Sequence, residues 1–202
     1  MDNDASGNLR PPVIGAVGRT RLGSLYSNPF RDLSLEGPYP LDEHRLLLLK
    51  DELLDGGGFR KPVAVRAHPW IRGAYEVIHD HHLAIAGCLA YGAGHEIDIR
   101  ICPFDDRQML LAWARLALED GADETIISVV MLQAQRIGMP RQAVHEMVRE
   151  FAGPQTELYL AILGAQEAVG ASGGPLSEIG SIRLASLIED GRFVAPLRLE
   201  RA

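Results

Sequence analysis

His79, Asp80, His81 and His82 occupy four consecutive positions, and that density of imidazole and carboxylate is where chemistry would be sought first. Neutral imidazole and carboxylate suit Mn, Fe, Zn or Ni, and an imidazole titrates close enough to neutral pH to act as a general acid or base. Successive side chains at a helix start diverge, so at most two of these imidazoles plus Asp80 could share an ion without a partner from elsewhere. His68, Glu119 and Asp120 are the candidate partners. The same residues also read as a polar corner whose imidazoles hydrogen-bond to backbone groups, and the sequence leaves both readings open.

A second set lies near the middle of the chain. Residues 135–145 carry a helical period, a turn containing Gly138, and a second helix opening at Pro140, the outline of a helix-turn-helix. Arg141, Gln142 and His145 fall near the start of the second helix, where contacts to bases or phosphates would be made. Any helical hairpin gives the same outline, so this is an expectation of DNA binding rather than a signature.

The elements that must position these residues follow from periodicity. Leu41, Leu46, Leu47, Leu49, Leu53 and Leu54 have helical spacing, ended by Gly56, Gly57 and Gly58. Residues 62–66 and 74–78 read as a strand pair, and Leu83, Ile85, Ala86, Leu89 and Ala90 as a helix that starts directly after the second strand. Residues 97–101 alternate as a strand with one wet face, and Asp105 caps a helix running to about Leu118. Helical periods follow at 126–137, 141–151, 157–169 and 181–189. Residues 1–26 read as a flexible arm with one short strand at 13–17, and 121–202 as a helical region.

Composition bounds the function classes. The chain has 202 residues, 47% hydrophobic and 23% charged, which is globular rather than disordered. Its net charge of −7 argues against an extended, non-specific nucleic-acid coat while leaving room for a local basic groove. All basic residues but Lys50 and Lys61 are Arg, a choice that favours bidentate phosphate or carboxylate contacts. The longest apolar runs, such as 46–49, are far shorter than the roughly 20 residues of a membrane helix, and residues 1–10 carry Asp2 and Asp4 with no apolar core of a signal peptide. A cytoplasmic protein without membrane contact is expected. Cys88 and Cys102 fit small core hydrophobes in a reducing compartment.

Four landmarks, in order and spacing, resemble the ParB/sulfiredoxin-like superfamily. Asn28, Pro29, Phe30 and Arg31 resemble its opening Asn-Pro-x-Arg segment; residues 61–66 resemble its Pro-Ile/Val-x-Val-Arg strand; residues 75–78 resemble its Tyr-Glu-Val-Ile strand; and Leu118, Glu119 and Asp120 stand where relatives have Leu-x-Glu-Asn. The resemblance spans residues 27–120, a little under half of the chain. It implies an α+β fold with a small mixed sheet and helices, followed by an all-helical C-terminal half. Relatives place a Gly-x-x-Arg type of turn at the decisive corner, and here Asp80 stands for the Gly and Leu83 for the Arg.

What the resemblance implies about function is a DNA-acting protein of the short plasmid or phage type, similar to fertility-inhibition proteins. In that reading it is a metal-dependent DNase using Mg or Mn, with nucleoside triphosphate hydrolysis as an accompanying activity. His81, His82 and Asp80 would be catalytic; Arg45, Arg66 and His79 would bind phosphate or nucleotide; Glu119 and Asp120 would hold the metal; and Arg141, Gln142 and His145 would meet DNA. The alternative is a catalytically degenerate member that binds DNA or a partner protein and regulates partition, transcription or conjugal transfer. A homodimer is compatible with either.

Overall fold

The computed structural model describes residues 15–31, 33, 39–122, 125–152, 161 and 181–190. Five strands, β1 (Ala16–Arg21), β2 (Leu25–Tyr26), β3 (Val63–Ala67), β4 (Tyr75–Val77) and β5 (Glu96–Ile101), form one sheet in the order β1-β5-β3-β4-β2. The β1/β5 and β3/β4 pairs are antiparallel, while β3/β5 and β2/β4 are parallel. The helices described are α1 (Glu43–Asp55), α2 (His81–Tyr91), α3 (Asp106–Glu119), α4 (Thr125–Arg136), α5 (Arg141–Ala152) and α6 (Ser186–Glu189). The fold is α+β.

Alternation along the strands sorts the side chains into two cores. Val63, Val65, Val77, Ile97 and Ile99 face Leu46 of α1 and Ala84, Ile85 and Cys88 of α2. Ala64, Ile78 and Cys102 belong instead to a core with Met109, Leu110 and Trp113 of α3 and with α4 and α5. Gly87 lets α2 approach closely, since a Cβ there would lie 2.4 Å from the Phe59 ring.

The helix starts follow ordinary capping chemistry. Asp42 accepts from the Arg45 backbone N–H at 3.0 Å, and Asp105 and Gln108 form a reciprocal capping box at 2.8 and 2.9 Å. Gly138, with φ +68°, turns the chain between α4 and α5.

Two expectations change. The stretch assigned to a flexible arm holds β1, β2 and the 3-10 turn Leu22–Ser24; β1 spans Ala16–Arg21 and its partner β5 lies some eighty residues on. The helix expected over 181–189 is a single turn at its end, because Arg183 instead bridges Tyr26 on the sheet edge. The helix expected over 157–169 lies outside the described residues, Ala161 apart. Among the described residues no helix is long and apolar enough to cross a membrane.

Candidate functional site: the β4 to α2 corner

The chain leaves β4 and enters α2 through Asp80 in the left-handed conformation, φ 65° and ψ 29°. It is the one non-glycine residue with positive φ among those described, at the position where the resemblance places a Gly. Asp is among the few residues that adopt this region at modest cost. Its carboxylate makes no capping bond to α2; it pairs with His79 Nδ1 at 2.7 Å on the surface.

Both following imidazoles point inward and are spent on backbone donors. His81 Nε2 accepts the Asn28 N–H at 2.9 Å, and His82 Nε2 accepts the Asp42 N–H at 3.0 Å. Asn28 is itself a knot: its Nδ2 donates to the Ile78 and Met109 carbonyls at 3.1 Å each, and its Oδ1 accepts from Phe30 N–H at 3.0 Å. The two histidines therefore rivet the Asn28 segment and the start of α1 onto the corner.

An imidazole that accepts through Nε2 is neutral and carries its proton on Nδ1. Burial pushes the His81 pKa well below its usual value, with the Arg31 charge and neighbouring imidazoles adding to the effect. For His82 burial first, then Arg31 and Arg45, bring the pKa to about 4. In this structure both imidazoles thus take the polar-corner arrangement, each Nε2 engaged with a backbone N–H.

The residues expected to hold a metal are placed as follows. Asp120 accepts from Arg45 Nη1 at 2.8 Å and from the Tyr39 hydroxyl. Burial would raise its pKa, but the bonds from Tyr39 and Arg45 outweigh that and hold it below the usual carboxylate value. Glu119 is exposed at the end of α3. Among the described residues no group of three or more His, Cys, Asp and Glu side chains could hold a metal.

The phosphate-binding candidates separate. Arg45 is at the corner, tied to Asp120 but with its side chain still 47% exposed. Arg66 is buried on β3 with Nε on Glu76 at 2.6 Å and Nη1 on Asp106 at 2.7 Å, so both nitrogens are engaged by carboxylates of the fold. Its partner was hidden because Glu76 comes opposite Arg66 only in the β3/β4 register.

Arg31, quoted as a motif residue but not assigned a role, is the residue the sequence reading missed. It lies between the two cores, with Phe30 in one and Leu33 in the other, and is only 4% exposed. Nη2 donates to the Tyr39 and Pro40 carbonyls at 3.4 Å, and the Tyr39 ring covers the guanidinium at 4.2 Å. Among the described residues Nε and Nη1 meet no hydrogen-bond partner, and neither does the buried Nδ1 of His81. Desolvation lowers the Arg31 pKa from 12.5, with Tyr39 and Asp120 opposing it. Among the described residues no carboxylate hydrogen-bonds to this guanidinium, though the Asp120 charge acts on it from nearby.

Beside the corner lies a cleft of about 270 Å³, with Leu49, Leu53, Phe59 and Leu83 in its walls and Arg60, Lys61, Glu52 and Asp80 around it. Leu83, where relatives carry Arg, thus contributes apolar wall. On the separate α4–α5 hairpin, Val144, Met147 and Val148 are buried while Arg141, Gln142 and Arg149 are exposed. Arg141 Nε reaches His145 Nε2 at 3.5 Å, and Gln142 donates to Glu146 at 3.2 Å.

No family model matches the chain, and no curated protein matches it. Among solved structures it is similar to the C-terminally truncated chromosome-partitioning protein ParB of Caulobacter crescentus, complexed with CTP-gamma-S. That similarity has 17% identity over 87% of this chain and 98% of the other, with a TM-score of 0.39.

Proposed function

We propose that the chain is a ParB-like, DNA-associated binding protein whose corner at α2 receives an oxyanion, and that it does not cleave DNA. The observation that carries this reading is the pair of buried, unpartnered donors, Arg31 Nε/Nη1 and His81 Nδ1. A buried cation without a counter-charge is costly. An oxyanion accepting a charge-assisted hydrogen bond from one of the free N–H groups would relieve part of that cost, and the N-terminus of α2 adds favourable polarity. Because Tyr39 stacks on the guanidinium, the oxyanion reaches it only when that ring swings aside.

A nucleotide phosphate is the oxyanion the superfamily resemblance implies. Arg60 and Lys61 around the adjoining cleft supply cationic groups that Leu83 does not. DNA association rests on the same resemblance and on the exposed Arg141, Gln142 and Arg149 of α5. The nuclease reading loses support because the imidazoles it needs are held neutral and engaged with backbone.

The experiment is a gel assay of the pure protein with single- and double-stranded DNA in Mg²⁺, Mn²⁺ and chelator. A salt-sensitive mobility shift without cleavage is expected, weakened in Arg141→Ala. Metal-dependent cleavage that disappears in His82→Ala would overturn the reading.

A further inference from the structure

The charge of Asp120 reaches Arg31, yet its hydrogen bonds go elsewhere. Its Oδ2 accepts from both the Tyr39 hydroxyl and Arg45 Nη1, the second at 2.8 Å. The bond to Asp120 is the largest cause of the raised Arg45 pKa. Tyr39 is thereby fixed at two points, by its hydroxyl on Asp120 and by its ring over the Arg31 guanidinium at 4.2 Å. The backbone beside it is fixed too. The Tyr39 and Pro40 carbonyls accept from Arg31 Nη2, Leu41 is buried, and His82 holds the Asp42 N–H. What can turn in this cluster is therefore the Tyr39 side chain and the Arg45 arm, which is 47% exposed against 23% for Asp120.

We propose that Asp120 is a built-in competitor for the oxyanion and that Tyr39 is the cover it holds shut; the proposal rests on the oxyanion reading of Arg31. In the closed arrangement one carboxylate occupies Arg45 and ties Tyr39 over Arg31. An oxyanion with more than one negative charge, such as a polyphosphate, attracts Arg45 more strongly than a single carboxylate does. An ion pair with an exposed arm is weak, so Arg45 turns to the anion and Asp120 is left with the hydroxyl alone. The Tyr39 ring then swings off the guanidinium, and the unpartnered Arg31 Nε and Nη1 meet the anion. Affinity is reduced by the fraction of molecules that stay closed. Asp120 thus sets the affinity of the site without being a ligand in it.

The test measures binding of inorganic triphosphate by calorimetry, in chelator and in Mg²⁺. The full-length proteins are wild type, Asp120→Asn, Tyr39→Phe and Arg31→Met, each checked for folding by circular dichroism. Asp120→Asn removes the competing charge, and Tyr39→Phe removes the tie without changing any charge. Both are expected to bind about five- to tenfold tighter than wild type in chelator, and Arg31→Met to lose binding. A gain in Asp120→Asn without one in Tyr39→Phe is a plain charge effect and would overturn the competitor. Unchanged or weaker binding in both variants, with Arg31→Met still defective, would overturn it too and leave the oxyanion reading standing. Wild-type binding that requires Mg²⁺ and disappears in Asp120→Asn would make the carboxylate a metal ligand instead. Triphosphate binding by none of the proteins would overturn both the competitor and the oxyanion reading.

Discussion

Arg31 and Arg66 are both buried, at 4% and 7% exposure, and their surroundings could hardly differ more. Arg66 has one carboxylate on each of two nitrogens, Glu76 at 2.6 Å and Asp106 at 2.7 Å. Arg31 has an aromatic ring and two long carbonyl contacts at 3.4 Å, and two of its nitrogens find no hydrogen-bond partner among the described residues. A buried cation whose charge is answered within the fold is part of the scaffold. A buried cation left unanswered is held at a cost by the packing around it, and such a group is positioned for an anion that comes from outside.

The comparison breaks most readily at Arg66. Arg66→Met strands Glu76 as an uncompensated buried carboxylate and is expected to cost about 3–5 kcal/mol, read from urea unfolding. His81→Ala comes next, because it leaves the buried Asn28 N–H without its acceptor and opens a void; about 2–3 kcal/mol is expected, with the loss concentrated in the Asn28 segment by hydrogen exchange.

The pH dependence sharpens the same point. His82 has a folded pKa of about 4 against 6.5, and burial also holds His81 well below its ordinary value. Both are neutral in the folded chain, so their contribution is fully present above pH 6.5 and is lost as pH falls from there toward 4. His82 should contribute a slope approaching about 1.4 kcal/mol per pH unit within that window, with His81 acting in the same direction. Unfolding free energy measured between pH 7 and 4.5 should fall accordingly, and His82→Gln should make the fall shallower.

Smaller effects follow. Asp80→Gly relieves the left-handed backbone and should stabilise the chain by about 1 kcal/mol, seen as a raised Tm with the corner unchanged. Arg31→Met removes a charge to which no described carboxylate hydrogen-bonds, so its unfolding free energy should stay within about 1 kcal/mol of wild type, in contrast with Arg66→Met. A loss as large as that at Arg66 would erase the distinction between the two arginines.

The order helix, strand, strand, helix, strand, helix over α1 to α3 was legible because each element carries its own period and stop signal. The corner was legible too: the pileup at 79–82 marked it, and Asp80 is a residue type that takes a left-handed turn. What escaped depends on contacts between distant segments. β1 is recognisable as a strand only against β5, and β2 and the 181–190 segment only against each other and β4. Arg66 looked like a phosphate ligand until the register set Glu76 opposite it. The same limit hid the histidines' roles, since an imidazole committed to the Asn28 or Asp42 backbone is indistinguishable in sequence from a free one.

The most direct test of the unanswered cation is a calorimetric titration with a nucleoside triphosphate, and with inorganic triphosphate as the base-free arm, on wild type and on Arg31→Met with folding verified in parallel. Saturable binding to wild type that Arg31→Met loses by at least about tenfold, the equivalent of 1.4 kcal/mol, is the predicted result. No binding to wild type, or equal binding to both proteins, would contradict the assignment of Arg31 as the group that waits for an anion.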